Sequence, residues 1–182
     1  NDVLPGDIGR WHAIERAFRE TMERAGFREV RTPYVEPTPL FVRTIGEATD
    51  VVEKEMYSFL RHDEPLTLRP EGTAGAARAY VEHKVHNSEP VTKWYYIGPM
   101  FRAERPQKGR YRQFYQAGAE IYGDKGPASD AEMIDTLVGF LNAIGVSSPE
   151  VLVNSIGGSE TRAKYRDAIV AALEPKKASL SD

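Results

Sequence analysis

The chain has no cysteine, which excludes disulfides and thiolate metal sites outright. It has no run of about 18 apolar residues, the length a membrane-crossing helix needs. Its opening, Asn1-Asp2-Val3-Leu4-Pro5-Gly6-Asp7, has neither the charged nor the apolar segment of a signal peptide. Position 1 is not Met, and the chain is expected to be a piece of something longer. An excess of charge of one sign is also missing. The formal net charge of -3 advertises no global nucleic-acid surface, so any such contact must be local. Without cysteine or an export signal, a reducing cytoplasm is the expected compartment. The four histidines, His12, His62, His83 and His86, show no convergent ligand spacing, and no metal site is expected. His83 and His86 share a helix and read as an exposed face.

What is present is ordinary globular material, 41% hydrophobic and 28% charged, enough for one domain or one domain and part of a second. Ile8, Trp11, Ile14, Phe18, Met22 and Ala25 recur at helical spacing, with Asp7 as the N-cap and Gly26 as the residue after the helix. Residues 27–35 read as extended, interrupted by Pro33, which suits an edge or interface strand. Leu66–Pro70 is a short strand ending at the turn Glu71-Gly72-Thr73, and an alanine-rich helix from Ala74 to about His86 follows. Lys93–Glu104 and Tyr111–Gly123 are two strands around a basic loop. Ser129 to Glu132 is a capping-box signal opening a helix that Gly145 closes. Pro149–Ile156 is a further strand, Ser159 to about Glu174 a helix, and Lys176–Asp182 an unpatterned tail. The predicted class is α+β, a mainly antiparallel sheet flanked by helices.

Alternation along the returning strand puts Arg112, Phe114, Gln116, Gly118, Glu120 and Tyr122 on one face. Tyr111, Gln113, Tyr115, Ala117, Ala119 and Ile121 take the other, which reads as packing surface. The first strip mixes a guanidinium, an amide, a glycine gap and a carboxylate. That combination suits a small zwitterion or a nucleotide, and a solvated sheet face is the plain alternative. A regular hairpin brings Arg102 close to Arg112, and neighbouring arginines repel unless an anion lies between them. The plain alternative is a surface ion pair of Arg102 with Glu104 or Glu120. Glu71-Gly72-Thr73 offers a carboxylate and a hydroxyl at a strand end, suited to an α-ammonium group. It also reads as a turn with Thr73 as the cap of the next helix.

The run from Phe101 to Gln116 resembles motif 2 of the class II aminoacyl-tRNA synthetases, in the form carried by histidyl-tRNA synthetases. Arg69-Pro70-Glu71-Gly72-Thr73 resembles the amino-acid-binding turn of the same family. Arg31 to Phe41 looks like motif 1, the helix–strand element of the dimer interface, and Ile45 to Tyr57 is also typical of the histidyl enzymes. The likeness covers essentially the whole chain, with motif 1 at about 8–41 and motif 2 at about 94–122. It implies a class II catalytic core, incomplete here, because motif 3 and the anticodon-binding domain are not in the sequence.

The implied activity is histidine–tRNA ligation, with L-histidine, ATP carrying Mg2+ and tRNA(His) as partners, in a homodimer formed through the motif 1 region. The resemblance makes Arg102 the catalytic arginine, holding the α-phosphate and the histidine carboxylate. Glu104 and Phe114 correspond to adenine contacts and Arg110 to a phosphate contact. Glu71, Gly72, Thr73, Gln116 and Glu120 correspond to the histidine pocket, with Glu120 towards the imidazole. Arg105, Gln107 and Lys108 correspond to the loop approaching the tRNA. A truncated chain of this kind is expected to be weak or inactive alone.

Two other functions fit less well. A regulatory relative serving histidine biosynthesis would have a degraded Glu-Gly-Thr turn and motif 2 loop, and both are intact here. A bare dimerisation or RNA-binding module has no need of Arg102, Glu104, Phe114, Gln116 and Glu120 in alternation.

Overall fold

The computed structural model describes residues 2–45, 55–103, 109–154 and 158–179. It divides into two compact units, Asn1–Ser148 and Pro149–Asp182.

In the first unit, helix α1 spans Pro5–Arg24. Its N-cap is Leu4 rather than Asp7, because Pro5 carries no N–H and is preset for the first helical position. Asp7 falls inside the first turn, where its charge complements the helix dipole. Gly26 ends the helix at φ 81°, as the sequence predicts. Gly26 N–H donates to Glu23 and Phe27 N–H to Met22, the paired bonds of a Schellman cap. Phe27 and Met22 are both 2% exposed, so the cap also seats two core side chains.

Strands β1 (Arg28–Glu29) and β2 (Val35–Pro37) lie on either side of Pro33 and belong to different sheets. Helix α2 (Thr38–Ile45) follows. Strands β3 (Tyr57–Arg61) and β4 (Glu64–Leu68) pair antiparallel, and β2 joins the other edge of β4. Helix α3 covers Thr73–Glu82. It ends four residues before His86, because Lys84 turns left-handed ahead of a short 3-10 turn at Val85–Asn87. Strands β5 (Thr92–Phe101) and β6 (Gln113–Tyr122) form a long antiparallel hairpin, with β1 parallel to β5 on its other side.

Helix α4 spans Pro127–Ala143, starting two residues before the expected capping box. Pro127 again occupies the first helical position. The Ser129 hydroxyl donates to Asp124, and Glu132 pairs with Lys93, so no capping box forms. Gly145 closes α4 with the same pair of bonds as Gly26 closes α1.

The hairpin register decides which side chains meet. Tyr96 faces Gly118, Gly98 faces Gln116, Trp94 faces Glu120 and Thr92 faces Tyr122. Directly paired residues share a face, so these eight form one continuous strip. On the opposite face, Tyr95, Ile97, Ala119 and Ile121 pack with Phe18 and Met22 of α1, Phe27 just after it and Phe140 of α4. That face is only partly the packing surface the sequence implies, because Gln113, Tyr115 and Ala117 stay exposed. Tyr115 meets Trp11 edge-on at 4.8 Å instead.

The second unit contains helix α5 (Ser159–Leu173) and a 3-10 turn over Glu174–Ser179. The turn replaces most of the expected unpatterned tail. Residues 149–154 form no strand, contrary to the sequence expectation of one at Pro149–Ile156. A strand exists only in a ladder, and neither sheet among the described residues includes this segment. Leu152 and Val153 stand 85% and 78% exposed.

Candidate functional site

The polar strip on the hairpin is closed over by the turn that leads into α3. Glu71 accepts hydrogen bonds from the N–H groups of Thr73 and Ala74, satisfying two free donors of the helix start. The N-cap position itself is Gly72, so Thr73 is the first helical residue and not the cap. Its hydroxyl is thereby released towards the sheet, 3.3 Å from the Tyr96 hydroxyl. Tyr96 donates to Glu120 at 3.2 Å, and Gln116 accepts from Gly72 N–H at 2.9 Å. One network therefore joins the turn to both strands. Gln116 keeps its amide donors without an acceptor among the described residues.

Gly72 and Gly118 make the network possible. A Cβ built on Gly118 would stand 2.5 Å from the Tyr96 ring, and one on Gly72 would meet the same ring. Tyr96 is 6% exposed, and its ring lies close against both glycines. Burial pushes its phenol well above the ordinary 10, so it is a fixed donor to Glu120. Burial also raises the Glu120 carboxyl above its ordinary 4.5; bonds from Thr73 and Tyr96 oppose the shift and the nearby Glu71 charge adds to it.

This shift has a measurable sign. The folded state binds the Glu120 proton more tightly than the unfolded chain does. The group's contribution to stability is therefore greatest in acid and declines as pH rises through the window that opens at 4.5. Glu120→Gln should flatten the melting temperature against pH across that window. An unchanged slope in the variant would assign the pH dependence to another group.

Arg102 lies just past β5. Its Nε donates to the Pro70 carbonyl at 3.0 Å, and its guanidinium sits 5.2 Å from the Phe114 ring centre. Its backbone N–H donates to the Arg112 carbonyl at 2.9 Å, the cross-strand proximity the alternation implies. Arg69 anchors the same turn from beneath. It is 5% exposed, and its side chain donates to the carbonyls of Pro99 and Thr32, both at 3.0 Å. Its own N–H and C=O bond Tyr34 and Phe101, tying the second sheet to the end of β5. Burial lowers the Arg69 pKa from the usual arginine range.

The structure thus gathers Glu71, Gly72, Thr73, Gln116 and Glu120 around Tyr96, with Arg102 and Phe114 at the end of the strip. Arg110 is exposed in a bridge just before β6. Glu104, Arg105, Gln107 and Lys108 lie outside the described residues, as does most of the Ile45 to Tyr57 run. Tyr96 and Arg69 have no role in the sequence reading. The available signal was a pair of glycines, Gly72 and Gly118, in otherwise patterned segments. A cleft of about 370 Å³ lies between the start of α1 and the start of β6, lined by Asp7, Arg10, Trp11, Tyr111, Phe114 and Tyr115. It borders the strip only through Phe114 and holds none of the Glu71–Glu120 network, so the strip is taken as the candidate site.

The histidyl-tRNA synthetase family profile matches residues 1–179. The chain belongs to the histidyl-tRNA synthetase family. It is 63% identical over 182 residues to the histidine–tRNA ligase of Sorangium cellulosum, covering all of this chain and 42% of that relative. It is 50% identical over 183 residues to the histidine–tRNA ligase of Pelobacter propionicus, covering 44% of it. The chain therefore spans about two fifths of the curated relatives it matches. Among solved structures, apo histidyl-tRNA synthetase from S. aureus superimposes over the whole chain with a TM-score of 0.76 and 36% identity, covering 42% of that protein. A Bacillus halodurans protein described as an ATP phosphoribosyltransferase regulatory subunit/histidyl-tRNA synthetase aligns with 81% of this chain and 37% of its own, at TM-score 0.69 and 25% identity. The histidyl-tRNA synthetase neighbours share the α+β architecture of an antiparallel-rich sheet flanked by helices. No helix among the described residues is long and apolar enough to cross a membrane.

Proposed function

We propose that the strip is the histidine-activating site of a class II histidine–tRNA ligase. A carboxylate oxygen of L-histidine attacks the α-phosphorus of ATP in line. The bond from that phosphorus to the bridging oxygen breaks, and pyrophosphate leaves with the electron pair. A ribose hydroxyl at the end of tRNA(His) then takes the histidyl group, and AMP departs. Magnesium arrives as part of the ATP substrate, bound to its phosphates.

The observation that carries this reading is the network joining Thr73, Tyr96, Glu120, Gln116 and Gly72 over a glycine gap. It presents carboxylates and a free amide to a small zwitterion. Glu71 and Thr73 hold the α-ammonium end beside Gly72, Gln116 offers its free amide donors to the other polar groups of the ligand, and Glu120 accepts the imidazole N–H. Arg102 bridges the histidine carboxylate and the α-phosphate, with its Nε already held by Pro70. Phe114 stacks on adenine and Arg110 meets a phosphate. Glu104 takes the adenine amino group, and Arg105, Gln107 and Lys108 meet the tRNA end. The motif 1 region pairs two copies into a homodimer, in the cytoplasm.

The test is ATP–pyrophosphate exchange with each amino acid in turn. It is run on this chain and on this chain joined to the remaining C-terminal part of the Sorangium cellulosum relative. Exchange with L-histidine alone in the completed protein supports the reading, with the chain by itself weak. Exchange with another amino acid overturns it. Silence of the completed protein favours the regulatory function, for which the Bacillus halodurans likeness is the supporting observation.

A further inference from the structure

We propose that Arg69 is a positioning residue for the activation step, fixing Arg102 and the Glu71–Thr73 turn at the separation that in-line attack requires. This rests on the histidine-activating reading above.

Arg69 sits at the joint between the two segments that carry those groups. Its backbone carbonyl accepts from the N–H of Phe101, one residue before Arg102, and the next carbonyl, that of Pro70, accepts from Arg102 Nε. The side chain reinforces this joint. Its Nε donates to the Pro99 carbonyl on β5, and its Nη1 donates to the Thr32 carbonyl and, at 3.2 Å, approaches the Thr32 hydroxyl. The Tyr34 ring covers the guanidinium at 4.4 Å. A planar fork of donors suits a junction of fixed oxygens, and a lysine ammonium cannot span them. Gly98 leaves the space for that fork. A Cβ built on Gly98 would stand 2.6 Å from Arg69 Nη2, and no other residue beyond its chain neighbours lies within 4 Å of it. Gly98 belongs to the strip, opposite Gln116, so the tip of Arg69 borders the proposed site.

Arg69 is 5% exposed, yet it pairs with no carboxylate among the described residues. A buried guanidinium held by neutral oxygens carries a desolvation cost that an apolar side chain would avoid. Packing alone gives no reason for it; a rigid junction between the turn and β5 does. In the proposed reaction the turn holds the α-ammonium end of histidine, and Arg102 holds its carboxylate and the α-phosphate. The separation of these two holds sets how the attacking oxygen meets the phosphorus. Misplacement by about 1 Å lowers such a rate about a hundredfold while each ligand group keeps its partner.

Two variants of the completed protein described above test this. Arg69→Lys keeps a cation but not the fork, and Gly98→Ala keeps Arg69 but pushes its tip aside. Exchange rates are divided by the number of sites that form histidyl-adenylate in a single-turnover burst, so unfolded molecules drop out. The backbone bond from Phe101 survives in both variants, so the losses fall short of that limit. The kcat per site should drop about twentyfold in Arg69→Lys and about fivefold in Gly98→Ala, with the KM for histidine and for ATP within about twofold of the parent. A residue that only stabilises the fold would lower the melting temperature and the number of sites and leave kcat per site unchanged. That result in Gly98→Ala overturns the proposal, whether or not Arg69→Lys folds. So does a rise in either KM without loss of kcat, which would make Arg69 a binding group. A parent protein without histidine-dependent exchange would instead remove the functional reading on which the proposal stands.

Discussion

Arg102→Ala should lower histidine-dependent pyrophosphate exchange in the completed protein about a thousandfold, the upper range for deleting one preorganised donor to a developing anion. The side chain is well prepared for that role. Its Nε is fixed on the Pro70 carbonyl, and its guanidinium carbon lies over the Phe114 ring. The two terminal nitrogens have no acceptor among the described residues and form a fork suited to two oxygens. The cost to the fold should be small, since one hydrogen bond to a neutral carbonyl is lost, about 1 kcal/mol. Thermal melting should therefore fall by only about 2–4 °C. Arg102→Lys keeps the charge but loses the fork, and should fall between the parent and the alanine variant. Exchange by Arg102→Ala within tenfold of the parent would sink the assignment.

Gly118→Ala should be the most damaging single methyl group in the strip. The new Cβ would stand 2.5 Å from both the ring carbon and the hydroxyl of Tyr96. That ring is 6% exposed, also lies against Gly72 and bonds Glu120 through its hydroxyl, so it has little freedom to shift aside. Overpacking of this kind costs about 1–3 kcal/mol. The expected result is a melting temperature lower by several degrees and a histidine KM raised about thirtyfold or more, with a smaller change in the KM for ATP. Chemical denaturation and substrate-resolved exchange kinetics check the two halves separately. A variant with parental stability and parental histidine KM would show that Tyr96 has room the structure denies it.

Much of the architecture was legible because it depends on short-range rules. The spacing of Phe18 and Met22 and the glycine at position 26 are enough to place α1 and its end. Alternation from Arg112 to Tyr122 places the strip on one face, and the hairpin register agrees with it from Phe114 to Tyr122. The failures also have local causes. At both Asp7 and Ser129 a good capping residue was outcompeted by a proline two positions earlier, because proline fixes the first helical residue wherever it stands. Residues 149–154 carry the β-prone run Val151-Leu152-Val153 but have no described strand to pair with, and propensity without a partner is not structure.

The site divides in the same way. The sequence by itself supplied the residues of the proposed site, namely Arg102, Glu71, Thr73, Gln116 and Glu120, and the strand face that carries Gln116 and Glu120. It did so because side-chain identity and two-residue periodicity are local properties. Only the tertiary structure decided that Glu71 is engaged in capping α3, that Tyr96 joins Thr73 to Glu120, and that Arg69 holds the turn against β5. It also decided that the Tyr122 hydroxyl is buried with no hydrogen-bond partner among the described residues. Each of these depends on segments more than twenty residues apart meeting, or on a cap forming, or on what fills the space beside a ring. Such contacts are set by packing across the fold, where a glycine at position 118 matters for the tyrosine opposite it and not for its own strand.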